Sequence, residues 1–386
     1  MNSIHREVIM PHSEFDLYST NICHLQKIKR DLLENTPLDL ELQFPNFSLH
    51  CNRLCARYIY DYLLFPVQLM RNNSIQIDKL KHLLCITKDF EKFFEYMMNL
   101  LIADGLLVEN NGFLQFNHRS NSVWKNTDLQ MIYPMFRGTL ALLDHCVSNF
   151  TMALSEKIPA IGVLYPDGSP EFMKQTLSDD TAVYTEMPVI KDIAVNLLLS
   201  LFKEFSSLKI LEIGGGQGLI TREILDSISD ITTVEYFFTD ISRRFVIDMQ
   251  RHANDKGLNF LKCGQFDITR CPSEQGIQSA NYDIILGLDV VHATPNIELT
   301  LKNIKSLLKP EGFLCLLETT TSQRWQNLIM GLAKGWWVFN DKWRTSTPLL
   351  SPSGWENVIN ASGYSRSDIT TLKNTNSDAA LILASR

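Results

Sequence analysis

The sequence contains no uninterrupted apolar run of roughly 20 residues, the length a helix needs to cross a bilayer, so no spanning segment and no membrane partner are expected. Its opening, MNSIHREVIMPHSEFD, carries charges where a secretory leader needs an apolar stretch. A cytoplasmic protein is expected. The eight cysteines form no CxxC pair and lie scattered along the chain, which points to reduced, mostly buried thiols. His50, Cys51 and Cys55 have no second ligand pair at zinc-like spacing, and no metal site is expected. Positive charge is also short. A formal net charge of −7 gives no overall attraction for phosphate backbones, which argues against nucleic acid as a partner. Internal repeats and low-complexity tracts are absent. What remains is an ordinary globular composition, 45% hydrophobic, in 386 residues, enough for two or three structural units.

From residue 206 onward, short apolar strands alternate with amphipathic helical stretches, a rhythm that gives parallel strands joined by crossover helices. LKILEIG is the first strand, VEYFFTDI the second, LNFLKCGQFDI the third, YDIILGLDVV the fourth and FLCLLETT the fifth. Lys309-Pro310-Glu311-Gly312 is placed as a turn before the fifth. SDITTLK and AALILASR supply two final strands, the last expected at the sheet edge. The preceding half reads differently. Two helical patterns, CNRLCARYIYDYLLFPVQLM and FEKFFEYMMNLLIADGL, precede LLVENNGFLQFN, in which Asn110-Asn111-Gly112 marks a hairpin. That order predicts a small winged-helix-like unit within 1–150. It carries no dense Lys/Arg stripe, so a packing role is expected and DNA binding is not. Residues 151–205 read as a lid and linker, from IGVLYPDGSPEF to a helix leading into the first strand.

The most informative string is Glu212-Ile213-Gly214-Gly215-Gly216-Gln217-Gly218, between a strand and a helix. Glycines are needed there because the backbone turns sharply and a ligand approaches main-chain atoms directly. A nucleotide cofactor is the natural occupant. The dinucleotide fingerprint GxGxxG fails: its third glycine falls at Leu219 counted from Gly214 and at Thr221 counted from Gly216, which disfavours NAD. The pattern ExGxGxG instead resembles motif I of class I S-adenosylmethionine-dependent methyltransferases. The resemblance implies that Glu212, Gly214, Gly216 and Gly218 form the cofactor loop and that Asp240, ending the second strand, takes both ribose hydroxyls. Phe266 and Asp267 would offer an apolar wall and an acceptor for the adenine amino group, and Leu288 completes the expected set. An Asp at such places also caps helices and closes turns.

The fourth strand runs out into Gly287-Leu288-Asp289-Val290-Val291-His292-Ala293-Thr294-Pro295, which puts His292 at the carboxyl edge of the sheet, where ligands of open α/β sheets bind. Glu318 closes the fifth strand. Neighbouring strands lie about 4.8 Å apart, so the two side chains can meet: Glu318 holds one imidazole nitrogen and the other is free to take a proton.

Taken together, LEIGGGQG, FFTDIS, YDIILGLDVVHATP, LKNIKSLLKPEGFLCLLETT and GLAKGWWVFND followed by PLLSPSGW resemble the C-methyltransferase domains of polyketide synthases. The resemblance implies a Rossmann-like class I core with a seven-stranded mixed sheet over 206–386, S-adenosylmethionine as cofactor, and an acceptor carried by an acyl carrier protein, with other synthase domains as further partners. It assigns His292 and Glu318 as the base dyad for the α-carbon of a β-ketoacyl group. Asp289, Trp336, Trp337 and Phe339 would line the acyl pocket, although plain core aromatics would look the same. Two departures stand out: Asp289 replaces the family's usual Asn, and Ala333-Lys334-Gly335 precedes the paired tryptophans where a Pro is usual. Related O-methyltransferase domains share the pattern, and a catalytically silent scaffold is the other alternative.

Overall fold

The computed structural model describes Lys27 and residues 44–67, 74–117, 125–169, 172–173, 186–205, 207–227, 234–372 and 378–386. The remaining residues of 1–43, and 170, 171 and 174–185 of the expected lid, lie outside the described residues. Among the described residues no helix is long and apolar enough to cross a membrane.

In the front half, α1 (Phe44–Leu64), β1 (Ser74–Gln76), α2 (Ile77–Leu83) and α3 (Glu91–Ala103) precede β2 (Leu107–Asn110) and β3 (Phe113–Phe116). The three strands form an antiparallel sheet ordered β1-β3-β2, the winged-helix arrangement. Asn110 pairs with Phe113, so the loop is Asn111-Gly112, and both residues are left-handed, at φ 50° and 79°. A two-residue hairpin of this kind needs that conformation at both positions, which is why Asn-Gly marks it. Helices α4 (Asn126–Ile132), α5 (Arg137–Ser148), α6 (Phe150–Ala153) and α7 (Ala160–Leu164) follow. Phe93, Phe94, Met97, Met98, Leu100 and Leu101 give α3 a buried stripe at helical spacing around which this core assembles.

The second half begins with α8 (Met187–Glu204) and continues β4 (Leu208–Ile213), α9 (Leu219–Ser227), β5 (Val234–Asp240), α10 (Arg243–Lys256), β6 (Leu261–Gln265) and β7 (Tyr282–Leu288). Then come α11 (Ile297–Leu307), β8 (Leu308–Thr319), α12 (Arg324–Met330), α13 (Pro352–Ala361), β9 (Arg366–Thr370) and β10 (Ala379–Ser385). The seven strands order as β6-β5-β4-β7-β8-β10-β9, with β10 antiparallel to both neighbours and β4 to β8 mutually parallel. Both faces are covered: Phe313, Cys315 and Leu317 point into one core, Leu314 and Leu316 into the other. This is why residues 313–317 of β8 read as a continuous apolar run rather than an alternating one.

Two details differ from the sequence reading. The last strand is not the edge: β10 inserts between β8 and β9. All seven of its residues are buried, whereas β9 begins with an exposed Arg366, so the apolar segment takes the interior and the polar one takes the rim. Lys309-Pro310-Glu311-Gly312 lies within β8 rather than before it. Tyr282 faces Leu308 and Ile284 faces Phe313, so a single residue, Asp283, opposes those four, which loop out of the ladder.

The strand order reverses between β4 and β7, which opens a crevice at their carboxyl ends. The segment after β8 then crosses into the front half, where Leu328, Ile329, Leu332, Trp337 and Phe339 join its core. Arg324 clamps the crossing with a two-pronged pair to Asp104, at 2.6 and 2.8 Å.

Candidate active site

At the end of β4 the chain reverses through its glycines. Gly214, Gly216 and Gly218 have φ of 57°, 55° and 73°, a region that a Cβ disfavours. Neighbours close three positions further: a Cβ on Gly214 would lie 2.1 Å from Val290 Cγ2, one on Gly215 2.1 Å from Phe238 Cε2 and one on Gly218 2.2 Å from Met249 Cε. Gly216 is different. Only the Gly214 carbonyl oxygen, at 3.9 Å, approaches its missing side chain, so the main chain there stays open to a ligand.

The acidic groups expected at the cofactor are tied into this turn. Asp240 accepts the Gly216 amide on Oδ2 at 2.9 Å and the Ser242 amide on Oδ1 at 2.7 Å. Each oxygen keeps a second lone pair for a ligand. Glu212 is sealed beneath the turn, where its Oε2 accepts the hydroxyls of Thr221 and Tyr236. Burial pushes its carboxyl up to about 7, with Asp240 adding and the two hydroxyl bonds opposing. Its geometry is that of a brace for the loop. Phe266 is buried after β6, its amide bonded to the Asp240 carbonyl at 3.1 Å. Asp267 closes a local turn, its Oδ1 accepting from the Thr269 amide and hydroxyl at 2.9 and 2.6 Å. Leu288 is half-buried at the end of β7, opposite Leu317.

One step further on, Asp289 adopts φ 49°, a conformation that Asn and Asp tolerate best among side-chain-bearing residues. An Asn would suit the same bend without the charge. Asp289 Oδ1 accepts the Thr319 amide at 2.7 Å. The short turn Val291–Ala293 then presents His292. Its Nδ1 lies 2.6 Å from Glu318 Oε2, and the other Glu318 oxygen accepts the amides of Val290 and Val291 at 3.3 and 2.8 Å. Glu318 is fully buried and His292 is 6% exposed. No described residue bonds His292 Nε2. Burial works against charging the imidazole, but the charge and hydrogen bond of Glu318, helped by Asp289 at 4.0 Å, prevail over it and over the opposing Arg344, and the pKa is raised. Asp289, His292 and Glu318 offer three ligand atoms within 4.8 Å, although the two amides on Glu318 and its short bond to the imidazole define a hydrogen-bonded dyad.

The aromatic residues divide. Trp336 packs edge-on against His292, ring centroids 5.8 Å apart, and its indole donates to Asn327 Oδ1 at 3.0 Å. Trp337 stacks on Phe93 in the front core and donates to the Gly331 carbonyl at 3.0 Å, while Phe339 is buried between Trp337 and Lys92. Only Trp336 of the three is in ring contact with the imidazole. Beside the glycine turn a cleft of about 740 Å³ opens between the segment after α7 and α10, lined by Tyr165, Gly216, Arg222, Phe245 and Met249. Of the residues expected to hold a cofactor, only Gly216 borders it. Sequence reasoning missed these α9 and α10 side chains, and it missed Arg344, which grips the His292 turn.

A glycine turn, an acidic strand end and a seven-stranded sheet with one antiparallel insertion define a class I methyltransferase fold. The family model described as a methyltransferase domain matches residues 211–314. The highly reducing polyketide synthase FUM1 of Gibberella moniliformis is 40% identical over 166 residues, 42% of this chain and 6% of that protein. The squalestatin tetraketide synthase of a Phoma species is 28% identical over 324 residues, 83% of this chain and 11% of that one. The crystal structure of CurJ carbon methyltransferase superposes with a TM-score of 0.81 at 27% identity, covering 95% of this chain and 98% of that one. The chain spans only 6 to 11% of the length of the curated relatives it matches. The chain is thus an S-adenosylmethionine-dependent methyltransferase of class I fold, and it resembles the C-methyltransferase domains of polyketide synthases.

Proposed function

We propose that this chain methylates the α-carbon of a β-ketoacyl thioester carried by an acyl carrier protein, using S-adenosylmethionine, with His292 as general base and Glu318 as its orienting partner. The observation that carries the reading is the 2.6 Å bond between His292 Nδ1 and a buried carboxylate, which leaves Nε2 uncommitted at the carboxyl edge of β7. Because Glu318 is an acceptor there, the proton sits on Nδ1 and Nε2 offers a lone pair. The bound cofactor supplies an electrophilic sulfonium methyl. What the chain must do is align the acceptor and remove its proton. His292 Nε2 takes the α-proton, and Glu318 with Asp289 stabilises the imidazolium formed.

The open main chain at Gly216, the free lone pairs of Asp240 and the Phe266–Asp267 corner fit a nucleoside with an acidic-residue-bound ribose. The carbon acceptor is supported by the similarity to CurJ carbon methyltransferase, and the carrier and neighbouring synthase domains by the relatives, which are large polyketide synthases. On this reading the chain divides into a front unit over 1–150, a lid over 151–205 and the cofactor-binding core over 206–386.

Mass spectrometry on β-ketoacyl and β-hydroxyacyl carrier proteins tests the acceptor: one methyl is expected on the first only. A methyl on the hydroxyacyl substrate would instead indicate an oxygen acceptor, and absence of any S-adenosylmethionine binding by calorimetry would indicate a scaffold.

The base also fixes a pH dependence. Only neutral imidazole accepts the proton, so the acid limb of kcat/KM lies above the ordinary histidine range. Asp289→Asn keeps a residue suited to φ 49° and removes a carboxylate 4.0 Å from Nδ1. The limb is expected to move to lower pH, measured as a pH–rate profile; an unmoved limb would show that Asp289 does not act on the base.

A further inference from the structure

The turn that carries His292 is gripped on its far side by a buried guanidinium. Arg344, 4% exposed, donates from Nη1 to the His292 carbonyl at 2.5 Å and from Nη2 to the Thr294 and Pro295 carbonyls at 2.6 and 3.3 Å. Its partner is Asp341, whose Oδ2 accepts Arg344 Nη2 at 2.5 Å and Nε at 3.1 Å. The same Asp341 oxygen accepts the amide of Ile297, the first residue of α11, at 3.0 Å. Its Oδ1 accepts the Trp343 and Arg344 amides at 3.0 and 3.2 Å.

A buried ion pair is weak evidence for stability, because desolvation offsets much of the attraction and apolar replacements often serve as well. What this pair supplies is placement. Glu318 holds the two amides at and just before the turn, and Arg344 holds the carbonyls from His292 onward, so the backbone carrying the imidazole is fixed from both sides by opposite charges. A planar fork of donors suits several carbonyls at once, which a lysine ammonium cannot match.

We infer that Arg344, seated by Asp341, is a positioning residue for His292, setting where its imidazole stands in the crevice. The inference rests on the reading of His292 as the base. A general base must stand within hydrogen-bond reach of its proton, and a shift of about 1 Å in a reacting group costs up to about 100-fold in rate. The charged groups facing His292 are Glu318, Asp289 and Arg344, with Asp341 behind the last of these.

The test uses the full chain with S-adenosylmethionine and a β-ketoacyl carrier protein. Arg344→Lys keeps the charge beside Asp341 but loses the fork. Its kcat is expected to fall by up to about 100-fold, with cofactor affinity and acceptor KM unchanged and the acid limb of the pH profile in place. Arg344→Gln also removes a cation near the imidazole, so a comparable fall in kcat is expected together with a limb moved to higher pH, a change that mere loosening of the fold would not produce. If the glutamine variant does not fold, the lysine variant decides. Wild-type kcat in folded Arg344→Lys, or a loss of thermal stability alone, would overturn the inference. His292→Ala separates the two levels: turnover that survives it removes the base and the positioning role with it, whereas turnover that needs His292 and ignores Arg344 defeats only the positioning role.

Discussion

His292→Ala is expected to lower kcat for methyl transfer by about 10²- to 10⁴-fold, the range that general-base catalysis contributes, while S-adenosylmethionine still binds with its original affinity. The separation follows from geometry. The imidazole is bonded to Glu318, not to the glycine turn or to Asp240. Glu318→Gln is expected to fall in the same range for a different reason. An amide nitrogen facing Nδ1 is a donor, so it calls for a lone pair there and drives the imidazole proton to Nε2, the nitrogen that must be free. The alternative amide orientation turns that donor towards the Val290 and Val291 amides, which are donors themselves. The first orientation puts the base in the wrong tautomer; the second keeps the tautomer but leaves the two amides that fix the turn without an acceptor and removes the charge that stabilises the imidazolium. Calorimetry for cofactor affinity and mass spectrometry of the carrier-bound acyl chain measure the two effects independently, and a wild-type kcat in His292→Ala would remove the base from the proposed mechanism.

Why was this pair legible before any coordinates? His292 follows the fourth strand of the core and Glu318 ends the fifth, and the class I methyltransferase fold that the glycine turn points to sets those two strands side by side, as β7 and β8 are. The glycine turn was legible for a similar reason, since positive φ at Gly214, Gly216 and Gly218 leaves a direct mark on composition. The Asn-Gly hairpin between β2 and β3 belongs to the same class of signal. Other features depended on packing at a distance. Trp336 and Trp337 are adjacent and chemically identical, yet Phe93 of α3 draws one into the front core while the other stays beside His292. Arg344 acts on a carbonyl 52 positions earlier and carries no local pattern. For the last two strands, chain order and composition point to different places, and the fold follows composition. AALILAS, apolar in six of its seven residues, suits an interior strand, with the more polar RSDIT outside it.

Gly214→Ala is expected to damage both cofactor binding and chemistry, and Gly216→Ala to damage binding alone. The two residues have nearly the same φ, 57° and 55°, so the left-handed penalty for alanine, about 1–2 kcal/mol, is common to both. They differ in surroundings. A methyl at 214 would stand 2.1 Å from Val290 Cγ2, while one at 216 meets only the Gly214 carbonyl oxygen, 3.9 Å away. Relieving such overpacking adds about 1–3 kcal/mol, equivalent to roughly 5- to 150-fold in Kd where it is expressed as binding. Val290 is not a passive neighbour: its amide and that of Val291 are bonded to Glu318 Oε1, and His292 follows directly. Pushing Val290 aside therefore moves the backbone that presents the base, and kcat at saturating cofactor falls in Gly214→Ala but holds in Gly216→Ala. Calorimetric Kd values and saturating turnover, compared between the two variants, measure the difference. Equal losses would mean that Val290 yields without resistance, and that the glycine turn and the proposed dyad are mechanically separate.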